Sequence, residues 1–143
     1  MNTIEDVKLL EFNVMGDEKG SLVALEQKKQ TPFDIKRIFY IYNTEQGVIR
    51  GKHANKYSEF CLIALVGSCK VKAIDIWGGA RIFELNAPNR ALYIPNMIWK
   101  DMYDFSSNCL LLVVSNELYN KDEYINDLDE FFTYRSTLAV SGW

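Results

Sequence analysis

Histidine is nearly absent from this sequence. His53 is the only one among 143 residues, so any imidazole chemistry must be located there. Cysteine is also scarce, and Cys61, Cys69 and Cys109 are an odd number without a CxxC spacing. That pattern predicts reduced residues in or near the core rather than a disulfide framework or a redox pair. We therefore expect a cytoplasmic protein.

Long hydrophobic runs and an excess of positive charge are missing as well. No apolar run approaches the roughly 20 residues that span a bilayer, and residues 1–12 lack the apolar segment of a signal peptide. The formal net charge of −3 provides no basic surface for duplex DNA. We expect neither a membrane nor a nucleic acid as partner, although a local group of cations could bind a small anionic ligand.

Hydrophobic residues are plentiful at 48%, and aromatic residues reach 13%, which is typical of a globular chain. We predict one domain over residues 1–143. Short segments rich in β-branched and aromatic residues alternate with turn residues. About ten strands are predicted, over residues 7–12, 22–26, 36–42, 50–55, 59–66, 68–75, 81–85, 90–94, 99–105 and 109–115.

The end of the chain differs from the strand-rich part. Over residues 120–132, Tyr124, Leu128 and Phe131 recur at helical spacing, and acidic residues near the start suit the positive end of a helix dipole. Ten short strands followed by one helix indicate an all-β fold, a double-sheet jelly roll or closed β-barrel with a short C-terminal helix.

The single histidine lies in the stretch RGKHANKYSE, from Arg50 to Glu59. Alternate residues of a strand share a face. His53 and Asn55 would then point to one side, and Arg50 and Lys52 to the other. In a jelly roll one of these faces lines a cavity, and bending at the strand ends could bring Arg50 or Lys52 to its mouth.

The spacing around His53 resembles the first cupin motif, G-x5-H-x-H-x3-4-E-x6-G. Five residues separate Gly47 from His53, Asn55 replaces the second histidine, and Glu59 follows after three residues. Downstream, PNMIWK resembles the second cupin motif P-x-G-x-x-H, with Lys100 in place of the final histidine. Two such motifs in the right order favour the cupin type of jelly roll.

The departures from these motifs bear on metal binding. Cupin metals are held by three histidines and a glutamate, whereas the equivalent positions here are His53, Asn55, Glu59 and Lys100. A protonated lysine repels a cation, and a neutral amide is a weak ligand for a transition metal. Because only two good ligands remain, we expect no metal and no other cofactor.

Several segments resemble one metal-free branch of the cupins, the dTDP-4-keto-6-deoxyglucose 3,4-ketoisomerases. The most specific are RG-x-HA, DFSS and PF-x-IKR-x-x-YIY, and the resemblance extends from about Val7 to Phe132. It implies a homodimer in which each cavity binds one dTDP-linked keto-deoxysugar. The 4-keto sugar would be isomerised to the 3-keto sugar, which an aminotransferase converts to a 3-amino-3,6-dideoxyhexose.

The family typically carries RGxHAHK and WHE, where this chain has RGKHANK and WKD. Either the proton relay is rebuilt around one histidine, or activity is reduced or lost. We hypothesise that His53 takes the C3 proton and returns it to C4. Asn55 could donate a hydrogen bond to the developing oxyanion, and Lys100 could supply charge or act as an acid. Glu59 or Asp101 could hold the tautomer of His53.

Substrate binding requires cations for the diphosphate and an aromatic face for the thymine. The candidate cations nearest in sequence are Arg37, Arg50, Lys52 and Lys56, and the candidate aromatic residues are Tyr40, Tyr42, Trp99 and Tyr103.

Two other functions are compatible with the sequence: a non-catalytic nucleotide-sugar-binding cupin that has lost its relay, and a related dTDP-sugar epimerase that uses the same enolate chemistry. Proton exchange at C3 would separate the first from an isomerase. Inversion with the ketone retained at C4 would identify the second.

Overall fold

The computed structural model describes residues 1–141 and contains twelve strands and one α-helix in that range. The strands are β1 (Lys8–Glu11), β2 (Met15–Asp17), β3 (Gly20–Leu22), β4 (Arg37–Tyr42), β5 (Arg50–Asn55), β6 (Phe60–Val66), β7 (Cys69–Ile74), β8 (Ala80–Leu85), β9 (Arg90–Ile94), β10 (Trp99–Tyr103), β11 (Leu110–Ser115) and β12 (Tyr124–Ile125). The helix is α1 (Leu128–Ser141), and short 3-10 helices cover Ile4–Asp6 and Lys121–Glu123.

Two five-stranded sheets face each other. The first sheet has the order β1-β9-β6-β11-β4, and the second has the order β12-β5-β10-β7-β8. All neighbouring strands in them are antiparallel. The predicted all-β double-sheet jelly roll with a C-terminal helix is confirmed. Among residues 1–141 the two sheets stay separate and do not close into one barrel.

The main core fills the space between the sheets. Residues such as Leu62, Val71, Leu92 and Leu111 are fully buried there because strand alternation turns one face of each sheet inward. A second cluster packs α1, through Phe131, against the outer side of the second sheet. A third lies on the other side of the first sheet. A polar residue buried in this apolar interior is unfavourable unless it has a hydrogen-bond partner.

The three cysteines are free and buried, as the sequence predicts. Burial raises the pKa of the Cys61 and Cys69 thiols to about 12, so both are unreactive at neutral pH.

One predicted strand is wrong, and the predicted helix is present but starts later than expected. Of the predicted strand over 22–26, only Leu22 is in a strand, where it ends the β2–β3 hairpin. The predicted helix begins at Leu128 rather than at residue 120. Asn120 caps a short 3-10 helix, and Asp127 caps α1 by accepting a bond from the Asp129 amide (2.9 Å). Between the two caps, Tyr124 and Ile125 pair with β5.

No helix in the described residues is long and apolar enough to cross a membrane.

Candidate active site

A cavity of about 130 Å³ lies between the two sheets. Its wall is formed by the inward side chains of six strands, which explains its mixed character. The polar part comes from Arg37, Arg50, His53 and Lys100, and the remainder is Phe39, Ile41, Gly51, Phe60, Leu62, Met102, Val113 and Tyr124.

His53 lies on β5 directly opposite Lys100 on β10. The Nδ1 atom of His53 donates a hydrogen bond to the carbonyl oxygen of Gly51 at 2.9 Å. This bond fixes the tautomer, because a carbonyl can only accept, and it leaves Nε2 as the unprotonated nitrogen. Burial and, second, the charge of Lys100 lower the pKa of His53 to about 3. The imidazole is therefore a neutral base at physiological pH.

Lys100 is only 3% exposed. Its Nζ donates to Asn55 Oδ1 at 3.2 Å and lies 4.0 Å from the centre of the Phe60 ring. Burial lowers the pKa of Lys100 to about 7, and the charge of Glu123 acts in the opposite direction. Lys100 can therefore gain or lose a proton near neutral pH, which an exposed lysine cannot do.

Asn55 contacts Lys100 and does not line the cavity. It is 2% exposed and is not part of the cavity wall, and within the described chain its Nδ2 has no hydrogen-bond partner. The structure brings Asn55 and Lys100 together, but only Lys100 is part of the cavity wall.

Glu59 and Asp101, the two acids expected to hold the tautomer of His53, have other hydrogen-bond partners. Glu59 accepts bonds from the hydroxyl of Tyr93 and from Asn116 Nδ2. Asp101 accepts a bond from Trp99 Nε1 at 3.2 Å. The hypothesis that either acid holds the tautomer is wrong, because the Gly51 carbonyl already does so.

A β-bulge explains which basic residue reaches the cavity. His53 pairs with Lys100 and Gly51 pairs with Asp101, so Lys52 is an extra residue on β5. Lys52 has a positive φ of 57° and is exposed, away from the cavity wall. The bulge shifts the alternation by one residue and brings Arg50, the partner of Met102, to the wall. Simple alternation therefore misassigned this end of the strand.

Arg37 lines the cavity from β4, with its guanidinium 4.4 Å from the centre of the Phe39 ring and 5.1 Å from that of Tyr119. The structure thus brings together Arg37 and Arg50 among the candidate cations. Both guanidinium groups are positively charged and belong to the wall of the same cavity.

The four candidate aromatic residues lie outside this cavity. Tyr40 and Tyr42 alternate with Phe39 and Ile41 on β4, so they point outward and are 61% and 60% exposed. Trp99 is buried against Phe131 of the helix, with ring centres 6.1 Å apart. Asp101 and Tyr103 follow Trp99 at alternate positions of β10, so they do not share the face of Lys100 and Met102. None of these four aromatic residues, nor Asp101, is part of the cavity wall.

Sequence reasoning missed Tyr124 and the apolar part of the wall. The ring of Tyr124 lies 4.7 Å from that of His53, measured between centres. It could not be identified while residues 120–132 were assigned to a helix. Phe39 and Ile41, in contrast, could have been found because they alternate with the outward tyrosines of β4.

The DFSS segment, one of the most specific parts of the family resemblance, has a structural role. Ser106 Oγ accepts a bond from the Ser68 amide at 2.9 Å and donates one to Asn108 Oδ1 at 2.8 Å. Gly67, with φ of 72°, leaves room for this contact. The segment therefore holds a turn and does not contribute to the cavity wall.

Residues 1–141 contain no cluster of three or more histidine, cysteine, aspartate or glutamate side chains suited to a metal ion. Two of the four positions that resemble cupin ligands already have side-chain partners: Glu59 is hydrogen-bonded to Tyr93, and Lys100 to Asn55.

Comparisons with known proteins agree on one family. A family model described as WxcM-like, C-terminal (FdtA) matches residues 5–136. A TDP-4-oxo-6-deoxy-alpha-D-glucose-3,4-oxoisomerase from Aneurinibacillus thermoaerophilus is 39% identical over 127 residues, which cover 89% of this chain and 91% of the relative.

Two solved structures show the same fold and similar sequences. The TDP-fucose-3,4-ketoisomerase WlaRA from Campylobacter jejuni is 41% identical with a TM-score of 0.87, over 94% of this chain and 98% of that one. QdtA, a sugar 3,4-ketoisomerase from Thermoanaerobacterium thermosaccharolyticum solved in complex with TDP, is 35% identical with a TM-score of 0.89, over 94% and 97%.

Proposed function

This chain belongs to the WxcM-like family, and from that premise we infer that it is a TDP-sugar 3,4-ketoisomerase. It converts dTDP-4-keto-6-deoxy-D-glucose to a dTDP-3-keto-6-deoxyhexose, a precursor of 3-amino-3,6-dideoxyhexoses. The observation that supports this most directly is the pairing of His53 with Lys100 on adjacent strands, both facing one cavity. The relatives at these identities are ketoisomerases, which favours this activity over the epimerase and the non-catalytic binding protein.

The size of the cavity indicates how the substrate is placed. A volume of about 130 Å³ is below the 300–1,000 Å³ typical of pockets for drug-sized ligands. The keto sugar would therefore enter the cavity, and the nucleotide would remain at its mouth. Arg37 and Arg50 are the two cations of the wall, and their planar guanidinium groups suit the oxygens of the diphosphate.

The residues of the wall support a balanced proton transfer. The 4-ketone makes the C3 hydrogen acidic because the resulting anion delocalises onto the carbonyl oxygen. Nε2 of His53 takes the C3 proton while the Lys100 ammonium gives a proton to O4, which produces an enediol. The O3 hydroxyl then gives a proton to Lys100, and His53 delivers its proton to C4. The ketone is now at C3, and both residues have returned to their starting states.

The electrostatics of the pair couple these transfers. Burial is the largest cause of the lowered pKa of His53, and the charge of Lys100 is the second. Once Lys100 has given its proton to O4, the second cause disappears and the imidazolium is easier to hold. Each transfer thus favours the other, and Lys100 takes over the work of the histidine that the family usually carries at this position. Asn55 assists by holding the Lys100 ammonium at 3.2 Å.

We further propose a homodimer in the cytoplasm. The outer face of β4, an edge strand of the first sheet, carries Ile38, Tyr40 and Tyr42, each at least 60% exposed. A row of exposed apolar side chains on an edge strand favours association with a second copy. Three free buried cysteines suit a reducing compartment.

The test is NMR of dTDP-4-keto-6-deoxyglucose in D₂O with the wild-type protein and with His53→Asn. The wild-type protein should produce the 3-keto sugar, and deuterium at C4 would show that His53 exchanges its proton with solvent before returning it. The variant should turn over about 10²–10⁴-fold more slowly. Line broadening of the thymine signals checks that it still binds. Unchanged turnover in His53→Asn would contradict the assignment of the base.

A further inference from the structure

Glu123 is a buried carboxylate that the reaction described so far does not use. It lies at the end of the short 3-10 helix before β12 and is 3% exposed. Three donors converge on it: Oε1 accepts from the amides of Ser58 (2.8 Å) and Tyr57 (3.3 Å), and Oε2 accepts from Ser58 Oγ (2.8 Å). These three hydrogen bonds fix the position of the carboxylate.

The backbone of Glu123 is fixed to the strand that carries His53. Its carbonyl accepts a bond from the Lys56 amide at 3.0 Å, and the next residue, Tyr124, pairs with Asn55 in the ladder between β12 and β5. Asn55 in turn accepts the bond from Lys100 Nζ. The ammonium is therefore held by Asn55, the last residue of β5, and the carboxylate by Tyr57 and Ser58, just after that strand.

The other charged and titratable groups around Lys100 do not compensate its charge. Arg37 on β4 and Arg50 on β5 share the cavity wall and are positive, and His53 is neutral at physiological pH. Tyr124 on β12 is a phenol. The facing residue of β6 is the Phe60 ring, and β7 presents the buried, apolar Val71 and Ala73. Asp101 on the same strand is bonded to Trp99.

A buried ammonium without a counter-charge loses its proton, because desolvation penalises the charged form. Glu123 opposes that effect, since its charge raises the pKa of Lys100 against the larger influence of burial. The carboxylate has no place in the cavity wall, so it acts on the substrate only through Lys100.

We propose that Glu123 is a positioning residue of this isomerase, whose fixed carboxylate keeps a proton on Lys100 while the substrate is bound. The proposal rests on the role given to Lys100 above. It assigns to the Glu123 side chain a function that neither the cupin motifs nor the cavity lining indicates. A purely structural Glu123 would tie this segment to β5 without affecting the protonation of Lys100.

The experiment compares Glu123→Gln with Asp122→Asn. The control removes the same charge one residue away, from an exposed side chain. Lys100 is titrated by NMR of protein labelled with ¹³C at lysine Cε, and its signal is assigned with Lys100→Met. We expect the Lys100 midpoint to fall by about one pH unit or more in Glu123→Gln and to stay unchanged in Asp122→Asn. At pH 8, turnover by Glu123→Gln should then be about tenfold lower, with recovery toward pH 6.

Glu123→Asp keeps the charge on a side chain one methylene shorter, which weakens its bonds to Tyr57 and Ser58, so the Lys100 midpoint should lie between those of wild type and Glu123→Gln. This variant also replaces Glu123→Gln if that protein does not fold. An unmoved Lys100 midpoint in the folded variants, or a loss of turnover that is the same at pH 6 and pH 8, would overturn the proposal. The titration does not depend on catalysis, so an inactive wild-type protein would contradict the proposed function and leave this test intact.

Discussion

At the scale of single residues, the site depends on two groups that burial moves toward neutrality. A histidine with its pKa near 3 is almost entirely a free base, and a lysine with its pKa near 7 is half protonated at neutral pH. The two environments assign the roles of base and acid without a second histidine. An exposed lysine at the same motif position could not donate and recover a proton in one cycle.

Lys100 determines how the rate depends on pH. Only its protonated form gives a proton to O4, so kcat of the wild-type enzyme should fall as pH rises through about 7. Arginine stays charged at all these pH values and does not donate its proton. Lys100→Arg should therefore lose about 10²–10⁴-fold in kcat and lack the alkaline decline. The measurement is kcat from pH 5.5 to 9, with Lys8→Met on exposed β1 as control. An identical alkaline decline in Lys100→Arg would assign it to another group.

Motif spacing locates His53 and Lys100 in the sequence because the two cupin segments become β5 and the start of β10. It does not locate Glu123 or Tyr124, because their positions depend on where a helix begins. Asn120 and Asp127 both cap a turn, and helical periodicity alone does not separate them. Nor can spacing show which aromatic residues face inward; Tyr40 and Tyr42 meet every requirement of composition and lie on the wrong side of β4.

At the scale of elements, the bulge between β5 and β10 shapes the wall. Gly51 has a φ of 84°, and a Cβ added there would lie 2.9 Å from the backbone carbonyl oxygen of Lys100. That close approach lets the two strands pair around the extra residue Lys52. The Gly51 carbonyl is also the acceptor for His53. One backbone irregularity therefore fixes the base and brings Arg50 into the cavity.

Gly51→Ala should lower the free energy of unfolding by about 1–3 kcal/mol, since alanine is strained at this φ and its methyl group meets backbone. Gly20→Ala is the matched control, because an added Cβ there has no neighbour within 4 Å. It should stay within about 0.5 kcal/mol of wild type. Urea denaturation measures both. Equal stabilities of the two variants would show that the bulge tolerates a side chain.

Strand alternation predicts most of the two sheets, including the inward face of β4. It fails at the bulge, since one inserted residue reverses the assignment of everything on that side. The signal in the sequence is the RGK tripeptide, but a glycine in a strand also suits a turn or a close contact. Only the register with β10 distinguishes these cases.

At the scale of the whole molecule, β4 and β8, one edge strand from each sheet, differ in how many large apolar residues they expose. Edge strand β4 exposes Ile38, Tyr40 and Tyr42, whereas edge strand β8 exposes Ile82. We expect the β4 face to be the dimer interface. Tyr40→Glu should shift the protein from dimer to monomer in sedimentation equilibrium, because a charge would be buried on association. Ile82→Glu, at 61% exposure, should remain dimeric. A monomeric wild-type protein, or equal dissociation of both variants, would contradict this assignment.

The bonds that hold the site join distant parts of the chain: Lys100 and Asn55 are 45 positions apart, and Ser58 and Glu123 are 65 apart. Contacts of such long range form late, since closing large loops is entropically unfavourable until neighbouring strands are in place. On the ribosome, the nascent chain cannot stabilise the Lys100 ammonium until Glu123 has emerged and packed into place. During refolding, turnover should therefore return after secondary structure does, so recovered activity marks the last stage of assembly.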